Sequence, residues 1–214
     1  MPSAPPQPLR PTPTPTPSPS RSADVAQRPE PVSPRIDDPM ALLLACHDKV
    51  RRFADLLLRL QQHAAVHGRD AQARDAAWSV LRYFEVAAPL HHADEDEDLY
   101  PALLALGDAG ASARIQVLSE EHAVLTALWQ QLAPWLRHLA AEGDQDGGVD
   151  VGAASDRAAA DAGTTASDTA RDFAARYLAH AEAEEREVYP LAARLSADTL
   201  ARIAQAMVAR RTAS

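Results

Sequence analysis

Cysteine is almost absent from this 214-residue chain, since Cys46 is the only one. No disulfide can therefore form within the chain, which suits a reducing compartment. The chain also lacks an apolar run long enough to span a bilayer, and its proline-rich start lacks the apolar core of a signal peptide. From these absences the sequence predicts a cytoplasmic protein.

Basic residues are scarce as well: Lys49 is the only lysine, and the formal net charge is -9. Such a chain has no electrostatic attraction for nucleic acid or anionic lipid, so we expect neither as a partner. The basic pairs Arg51-Arg52 and Arg210-Arg211 are expected on ordinary helix surfaces. Aromatic residues (5%) and glycines (8) are few, and the abundant Ala, Leu, Arg and Glu favour helix over sheet.

Proline marks off the N-terminal segment from the rest of the chain. Residues 1–37 hold most of the 17 prolines and are predicted to be a disordered tail that cannot bury a core. Residues 38–211 are predicted to form one all-α domain, an up-down four-helix bundle with a short fifth C-terminal helix. A Gly-, Asp- and Ala-rich segment at about 142–166 is predicted to be a flexible loop within this domain.

Capping residues and apolar periodicity predict where the five helices lie. The first begins at an N-cap, Asp38, followed by Pro39 at the first helical position, and ends at Gly68. Pro89 and Pro134 fall inside predicted helices, where we expect local kinks. The remaining four helices are predicted to begin near Asp70, Ser112, Ser167 and Ser196.

Each of the first four helices carries a histidine within its apolar stripe, and two of them add a glutamate one turn later. Two segments share the pattern His, three residues, Glu, four residues, Tyr-Pro; they cover residues 91–101 and 180–190. A His and a Glu four residues apart lie on the same helix face, so both can reach one point in the interior. The candidate metal ligands are His47, His91, Glu95, His122, His180 and Glu184.

This combination of buried groups points to metal ions. Two ionised carboxylates in a helical core cost several kcal/mol each unless they are paired or bind a metal, and the apolar stripes offer no Arg or Lys as a partner. Imidazole and carboxylate ligands without thiolates suit iron, manganese or zinc. Six ligands are too many for one tetrahedral zinc, but they suit two ions bridged by both glutamates, as in di-iron and di-manganese bundles.

With this ligand plan the sequence resembles the hemerythrin family, in particular the bacterial hemerythrin-like or HHE cation-binding domains. The resemblance covers Asp38 to about Arg211, including the Asp-Pro opening and both Tyr-Pro endings. It implies that the four histidines are terminal iron ligands and that the two glutamates bridge the ions. Oxygen-carrying hemerythrins have a fifth histidine at the position of Thr126 and an aspartate at the position of Glu185, so this chain departs from them at both.

Some neighbouring residues allow other interpretations. His92 with Asp96 could replace His91 with Glu95, but only the second pair keeps the phase of the repeated segment. We expect surface positions for His63, His67 and His138, and a core position for the thiol of Cys46. Tyr100 and Tyr189 are expected to pack in the core, with a hydrogen bond to the metal ligands as the alternative.

The sequence therefore predicts a non-haem di-iron protein that binds or reduces a small oxidant: O2, peroxide or nitric oxide. One histidine fewer than in the oxygen carriers favours reaction over reversible carriage. Manganese is a possible alternative metal. Two other functions share the ligand plan: repair of iron–sulfur clusters, and a non-catalytic iron or oxygen sensor. Repair proteins of this type usually carry a cysteine-containing N-terminal module, where this chain has its proline-rich tail.

Overall fold

The structure is a computed structural model that describes residues 38–141 and 153–212, with side chains for residues 38–141 and 166–212. Within these residues the regular secondary structure is entirely helical, which confirms the predicted all-α class. No helix among them is long and apolar enough to cross a membrane. The predicted tail over 1–37 and residues 142–152 of the predicted loop lie outside the described residues.

The first helix, α1 (Pro39–His67), begins and ends as the sequence predicts. The Asp38 carboxylate accepts hydrogen bonds from the backbone N–H groups of Met40 (2.9 Å) and Ala41 (3.2 Å). These donors have no partner within the first turn, so the cap stabilises the helix start. Gly68 ends the helix with a φ of 66°, a left-handed conformation that favours glycine.

The second helical run, residues 71–104, alternates between α-helical and π-helical parts. Its parts are α2 (Ala71–Arg82), a π-helical segment (Tyr83–Ala87), α3 (Ala88–Ala93), a second π-helical segment (Asp94–Leu99) and α4 (Tyr100–Leu104). Its N-cap is the predicted Asp70, whose carboxylate accepts a hydrogen bond of 2.7 Å from the N–H of Ala73.

The third helix, α5 (Ala109–Ala140), begins slightly earlier than predicted and continues through Pro134. The carboxylate of Asp108, not the hydroxyl of Ser112, caps it by accepting from the N–H of Ala111 at 3.1 Å. The Ser112 hydroxyl instead donates to the backbone oxygen of Asp108. The N-cap residue Asp108 thus defines the start of α5.

The fourth helical run, residues 153–194, departs most from the prediction. It consists of α6 (Ala153–Ala183), a π-helical segment (Glu184–Val188) and a 3-10 helix (Tyr189–Arg194). The predicted start near Ser167 is wrong, because residues 153–166 are already helical. Alanine is the strongest helix former, and the alanines of this stretch outweigh its single glycine. The last helix, α7 (Ala197–Thr212), starts at the predicted Ser196, whose hydroxyl accepts from Thr199.

Helix α1 packs against α2 and α6, and α5 packs against the same two helices. Their buried apolar residues form two clusters, one on each side of a polar layer. The first apolar cluster includes Val50, Phe84, Leu125 and Tyr177, and the second includes Leu43, Leu99, Leu118 and Val188. On each of the four helical runs that carry them, the candidate ligands lie between residues of the first cluster and residues of the second. The ligands therefore share one layer. The chain crosses this layer in alternating directions on successive helices.

Candidate metal centre

The six candidate ligands are buried together in the layer between the two apolar clusters. The most exposed of them, His122, keeps 5% of its surface accessible. Their ligand atoms form two groups, and within each group all atoms lie within 4.8 Å of one another. The first group is His47, His91, Glu95 and Glu184; the second is Glu95, His122, His180 and Glu184. Both glutamates therefore belong to both groups, and each group has two histidines of its own.

Each glutamate directs one oxygen to each histidine pair. In Glu184, Oε2 lies 3.1 Å from Nε2 of His47, and Oε1 lies 3.1 Å from Nε2 of His180. In Glu95, Oε1 lies 3.6 Å from Nε2 of His91, and Oε2 lies 3.5 Å from Nε2 of His122. A carboxylate in this position can bridge two cations, one beside each histidine pair.

Both ring nitrogens of His91, Nδ1 and Nε2, have no hydrogen-bond partner although they are fully buried. Oε2 of Glu95 and Oε2 of Glu184 are buried as well and face only a histidine nitrogen, at 3.5 Å and 3.1 Å. A buried polar atom without a partner loses about 1–3 kcal/mol relative to water, and more when it is charged. Imidazole nitrogens and carboxylate oxygens are also metal ligands. The donor set therefore fits metal ions that would satisfy these atoms.

Burial and neighbouring charges shift the pKa values of the candidate ligands in opposite directions. Burial, reinforced by the neighbouring charge of Glu184, raises the pKa of Glu95 to about 7. Burial disfavours the charged form of His122, but hydrogen bonds to Asp96 and to the two glutamates outweigh it and raise its pKa to about 11. His91 has no such partners, and burial lowers its pKa to about 3. Protons thus partly compensate the buried carboxylates, and a cation would have to displace them.

Outer carboxylates hold three of the four histidine rings through Nδ1. Nδ1 of His47 lies 2.8 Å from Glu185, and Nδ1 of His180 lies 2.9 Å from Glu121. Nδ1 of His122 lies 2.8 Å from Asp96. Such bonds orient the ring, leave Nε2 free to bind a metal, and raise its basicity. Sequence reasoning assigned none of these roles, although all three carboxylates are adjacent in sequence to a candidate ligand.

Tyr100 and Tyr189 pack in the second apolar cluster, as expected, and their hydroxyls also form the alternative hydrogen bonds to the glutamates. The Tyr100 hydroxyl donates to Oε1 of Glu184, and the Tyr189 hydroxyl donates to Oε1 of Glu95. Each tyrosine thus binds the glutamate of the other repeated segment. The bonds connect the second and fourth helical runs directly at the site.

His92 lies beside the second ligand group, and one ring nitrogen from each of His92, His122 and His180 lies within 4.8 Å of the others. Its ring stacks on that of His122, with 4.0 Å between the centroids, and its Nε2 lies 2.6 Å from the hydroxyl of Tyr177. The structure therefore places His91, not His92, with His47. Thr126, at the position of the fifth histidine of the oxygen carriers, donates its hydroxyl to the backbone oxygen of His122 at 2.9 Å.

Both basic pairs take part in interactions that the surface prediction missed. Arg51 binds both oxygens of Glu185 at 2.7 Å, which orients the carboxylate that holds His47. Arg210 and Arg211 each lie 2.5 Å from the carboxylate of Asp94, which is completely buried. Asp94, the first residue of an acidic stretch that extends to Asp98, therefore anchors α7.

Cys46 and His138 lie where the sequence predicts them, whereas His63 is half-buried. Cys46 is buried, as expected for a core thiol, and His138 is exposed, as expected for the surface. Nε2 of His63 lies within 3.0 Å of both Asp70 oxygens, so this half-buried ring interacts with the cap of α2. A cavity of about 270 Å³ reaches the outer side of His180 beside Glu121.

A helical chain with four imidazoles and two carboxylates in one buried layer belongs to the class of helical proteins built to hold metal ions. The family model of the hemerythrin HHE cation-binding domain matches residues 38–192, so this chain belongs to that family. Membership implies that the domain binds metal ions, typically iron.

A search of curated proteins gives one similar sequence, an uncharacterized protein of Haemophilus influenzae. It is 34% identical over 110 residues, which make up 51% of this chain and 63% of that protein. The chain therefore spans less than two thirds of its relative's length. The similarity supports a common ancestry and leaves the activity to be argued from the site.

Proposed function

We propose that this protein is a non-haem di-iron protein that binds or reduces a small oxidant: O2, peroxide or nitric oxide. The observation that carries the proposal is the pair of ligand groups that share Glu95 and Glu184. Two separate mononuclear sites would not need common glutamates. In the proposed centre His47 and His91 would hold one iron, His122 and His180 would hold the other, and Glu95 and Glu184 would serve as ligands of both.

The ligand number explains why a small molecule would react there. Each iron would receive four protein atoms, two nitrogens and two oxygens, whereas iron with such ligands readily takes six. The iron pair supplies one-electron steps between its ferrous and ferric states. The protein holds the imidazoles through the outer carboxylates and keeps the layer closed between apolar clusters, which limits access to small molecules.

We also propose that the helices form an up-down four-helix bundle. The alternating passage of the chain through the ligand layer is what an up-down four-helix bundle requires, with α7 as a fifth helix. The buried, unpaired Cys46 is compatible with the reducing cytoplasm that we propose as the location. Manganese, which accepts the same ligands, is the alternative metal.

Metal analysis of protein purified without added metal tests this function. We expect about two irons per chain, with near-ultraviolet absorption bands that change when peroxide or nitric oxide is added. His91→Ala and His180→Ala should lose iron and these bands, whereas His138→Ala, a change at an exposed histidine, should keep both. A folded wild-type protein that contains one zinc or no metal would overturn the redox function.

The same preparation separates the other two functions that share this ligand plan. Restoration of activity to an enzyme with a damaged iron–sulfur cluster, without turnover of peroxide, would favour repair. Slow binding of nitric oxide or O2 without turnover would favour a sensor. Rapid consumption of peroxide or O2 at unchanged iron content supports the proposed reaction.

A further inference from the structure

The hydroxyl of Tyr189 lies inside the first ligand group and not at its edge. It donates to Oε1 of Glu95, the oxygen that faces His91, and it lies 3.1 Å from Nε2 of His47. These two atoms are the ones that His47 and Glu95 would present to the first iron. One phenolic oxygen thus touches two proposed ligand atoms of the same ion.

The distance to His47 matches the spacing of two ligands on one ion. Metal bonds of about 2.0–2.2 Å place neighbouring ligand atoms about 3 Å apart. The two Nε2 atoms of His122 and His180, which belong to the second group, show this spacing at 3.0 Å. The oxygen of Tyr189 and Nε2 of His47 show it at 3.1 Å. The contact from Tyr189 to Oε1 of Glu95 is a hydrogen bond shorter than this spacing, so it would lengthen once the phenolic proton is lost.

Tyr100 stands at the corresponding position of the other repeated segment but has a different environment. Its hydroxyl donates to Oε1 of Glu184, and among the described residues it forms no hydrogen bond to a histidine nitrogen. Its ring stacks on that of His122 with 6.0 Å between centroids, compared with 5.2 Å between Tyr189 and His47. The two halves of the site therefore differ in how closely the tyrosine approaches a candidate histidine ligand.

The chain continues differently after the two tyrosines. A π-helical segment precedes each of them, but a 3-10 helix (Tyr189–Arg194) starts at Tyr189, whereas an α-helix continues from Tyr100. Their own backbone angles are similar, with φ -58° and ψ -35° at Tyr189 and φ -61° and ψ -45° at Tyr100. Both tyrosines are buried, and the difference between them lies in the contacts of their hydroxyls.

We propose that Tyr189 is a further ligand of the iron held by His47 and His91, and that its phenolate oxygen binds this iron in the ferric state. The inference rests on the proposed di-iron function. Binding replaces the phenolic O–H bond by a bond from oxygen to iron and releases one proton to water. No electron moves in this step. Phenolate is a hard anionic oxygen ligand, so it stabilises the ferric ion over the ferrous ion.

A ferric ion bound to a phenolate absorbs visible light through charge transfer from the ligand, and this gives the test. Wild-type protein, loaded with ferrous iron without oxygen and then oxidised, should show a visible band. Resonance Raman spectra excited in that band should contain phenolate ring vibrations, which shift when the protein is made with ring-deuterated tyrosine. Tyr189→Phe should lose the band while it retains about two irons per chain.

Tyr100→Phe is the matched control, because it removes the same hydroxyl from the same kind of glutamate contact. It should retain both the band and the iron. A wild-type protein that binds iron but shows no phenolate vibrations would overturn the inference and leave the di-iron function standing. Retention of the band in Tyr189→Phe would also overturn it. A wild-type protein that binds no iron would overturn the proposed function itself.

Discussion

At the scale of single residues, the four central histidines differ in what holds their outer ring nitrogen. Carboxylates bind Nδ1 of His47, His122 and His180, whereas Nδ1 of His91 is buried without a partner. Because an outer carboxylate both orients a ring and strengthens its metal bond, three of the histidines are prepared for a cation. The fourth depends on packing alone.

Glu185→Gln tests how much one outer carboxylate contributes. Glu185 holds His47 and is itself bound by Arg51, so the substitution should weaken metal binding about 10–100-fold. Competition with a chelator measures the change. Glu182→Gln is the control, since Glu182 is exposed on the same helical run and its ion pair within the described part of the chain is with Arg186, at 3.4 Å. Equal affinities for both variants would contradict the role of Glu185.

Metal binding should also depend on pH, because protons occupy the metal-free layer. Hydrogen bonds to carboxylates raise the pKa of His122 to about 11, so this ring is protonated near neutrality and must lose its proton to bind a metal. Metal affinity should therefore rise with pH, by up to about tenfold per pH unit for each proton released. Chelator competition between pH 6 and 8, corrected for the chelator's own protonation, measures the slope; an affinity that falls with rising pH would contradict this account.

At the scale of helices, π-helical segments precede three of the prolines. The residue before Pro89, Pro101 and Pro190 donates its N–H to the carbonyl five residues back: Ala88 to Tyr83, Tyr100 to Glu95 and Tyr189 to Glu184. Proline has no N–H and its ring clashes with the carbonyl four residues back, so a wider turn relieves the conflict. A π-helical segment therefore precedes Pro89, where the sequence predicts a kink, and a π-helical segment also precedes each Tyr-Pro ending.

The attachment of α7 to the second helical run can be tested at Arg211. Its guanidinium binds both oxygens of the buried Asp94, with Arg210 as the second partner. Arg211→Met should lower the free energy of unfolding by about 1.5–3 kcal/mol, the usual value for hydrogen bonds to a charged group. Arg202→Met, an exposed change on the same helix, should stay within about 0.5 kcal/mol. Urea denaturation compares the two, and equal losses would contradict a specific anchor.

At the scale of the whole molecule, the fold places its most costly polar groups at the centre. The ligand layer lies between two apolar clusters, and buried atoms of this layer lack partners within the protein. Metal ions would link all four helical runs through this layer. Stability and metal binding are therefore expected to be coupled.

Removal of metal should destabilise the folded chain, because the two buried carboxylates then lose the cations that compensate their charge. With free metal at 100 times its dissociation constant, each bound ion should stabilise the folded protein by about 2.7 kcal/mol relative to the metal-free protein. Thermal unfolding before and after treatment with a chelator measures it. In the variant Glu95→Gln/Glu184→Gln added metal should give little or no increase, and an unchanged wild-type melting temperature after complete metal removal would contradict the coupling.

The amino-acid sequence by itself determined the helical class, most helix starts and the repeated ligand pattern. Asp38, Asp70 and Gly68 act within a few residues of their own positions, and helical periodicity places each histidine on a buried stripe without knowledge of the partner helices. Local interactions of this kind can be predicted along one chain. The early start of α6 was missed because turn-forming residues in its first part suggested a loop.

Only the tertiary structure decided which distant residues meet. Glu185 reaches His47, Tyr189 reaches Glu95, and Arg211 reaches Asp94 from separate helices. Such contacts depend on helix register and on the wider turns of the π-helical segments. Neither feature leaves a periodic signal in the sequence. The sequence thus determined which residues could bind a metal, and the packing of the helices decided how they are oriented and which neighbours tune them.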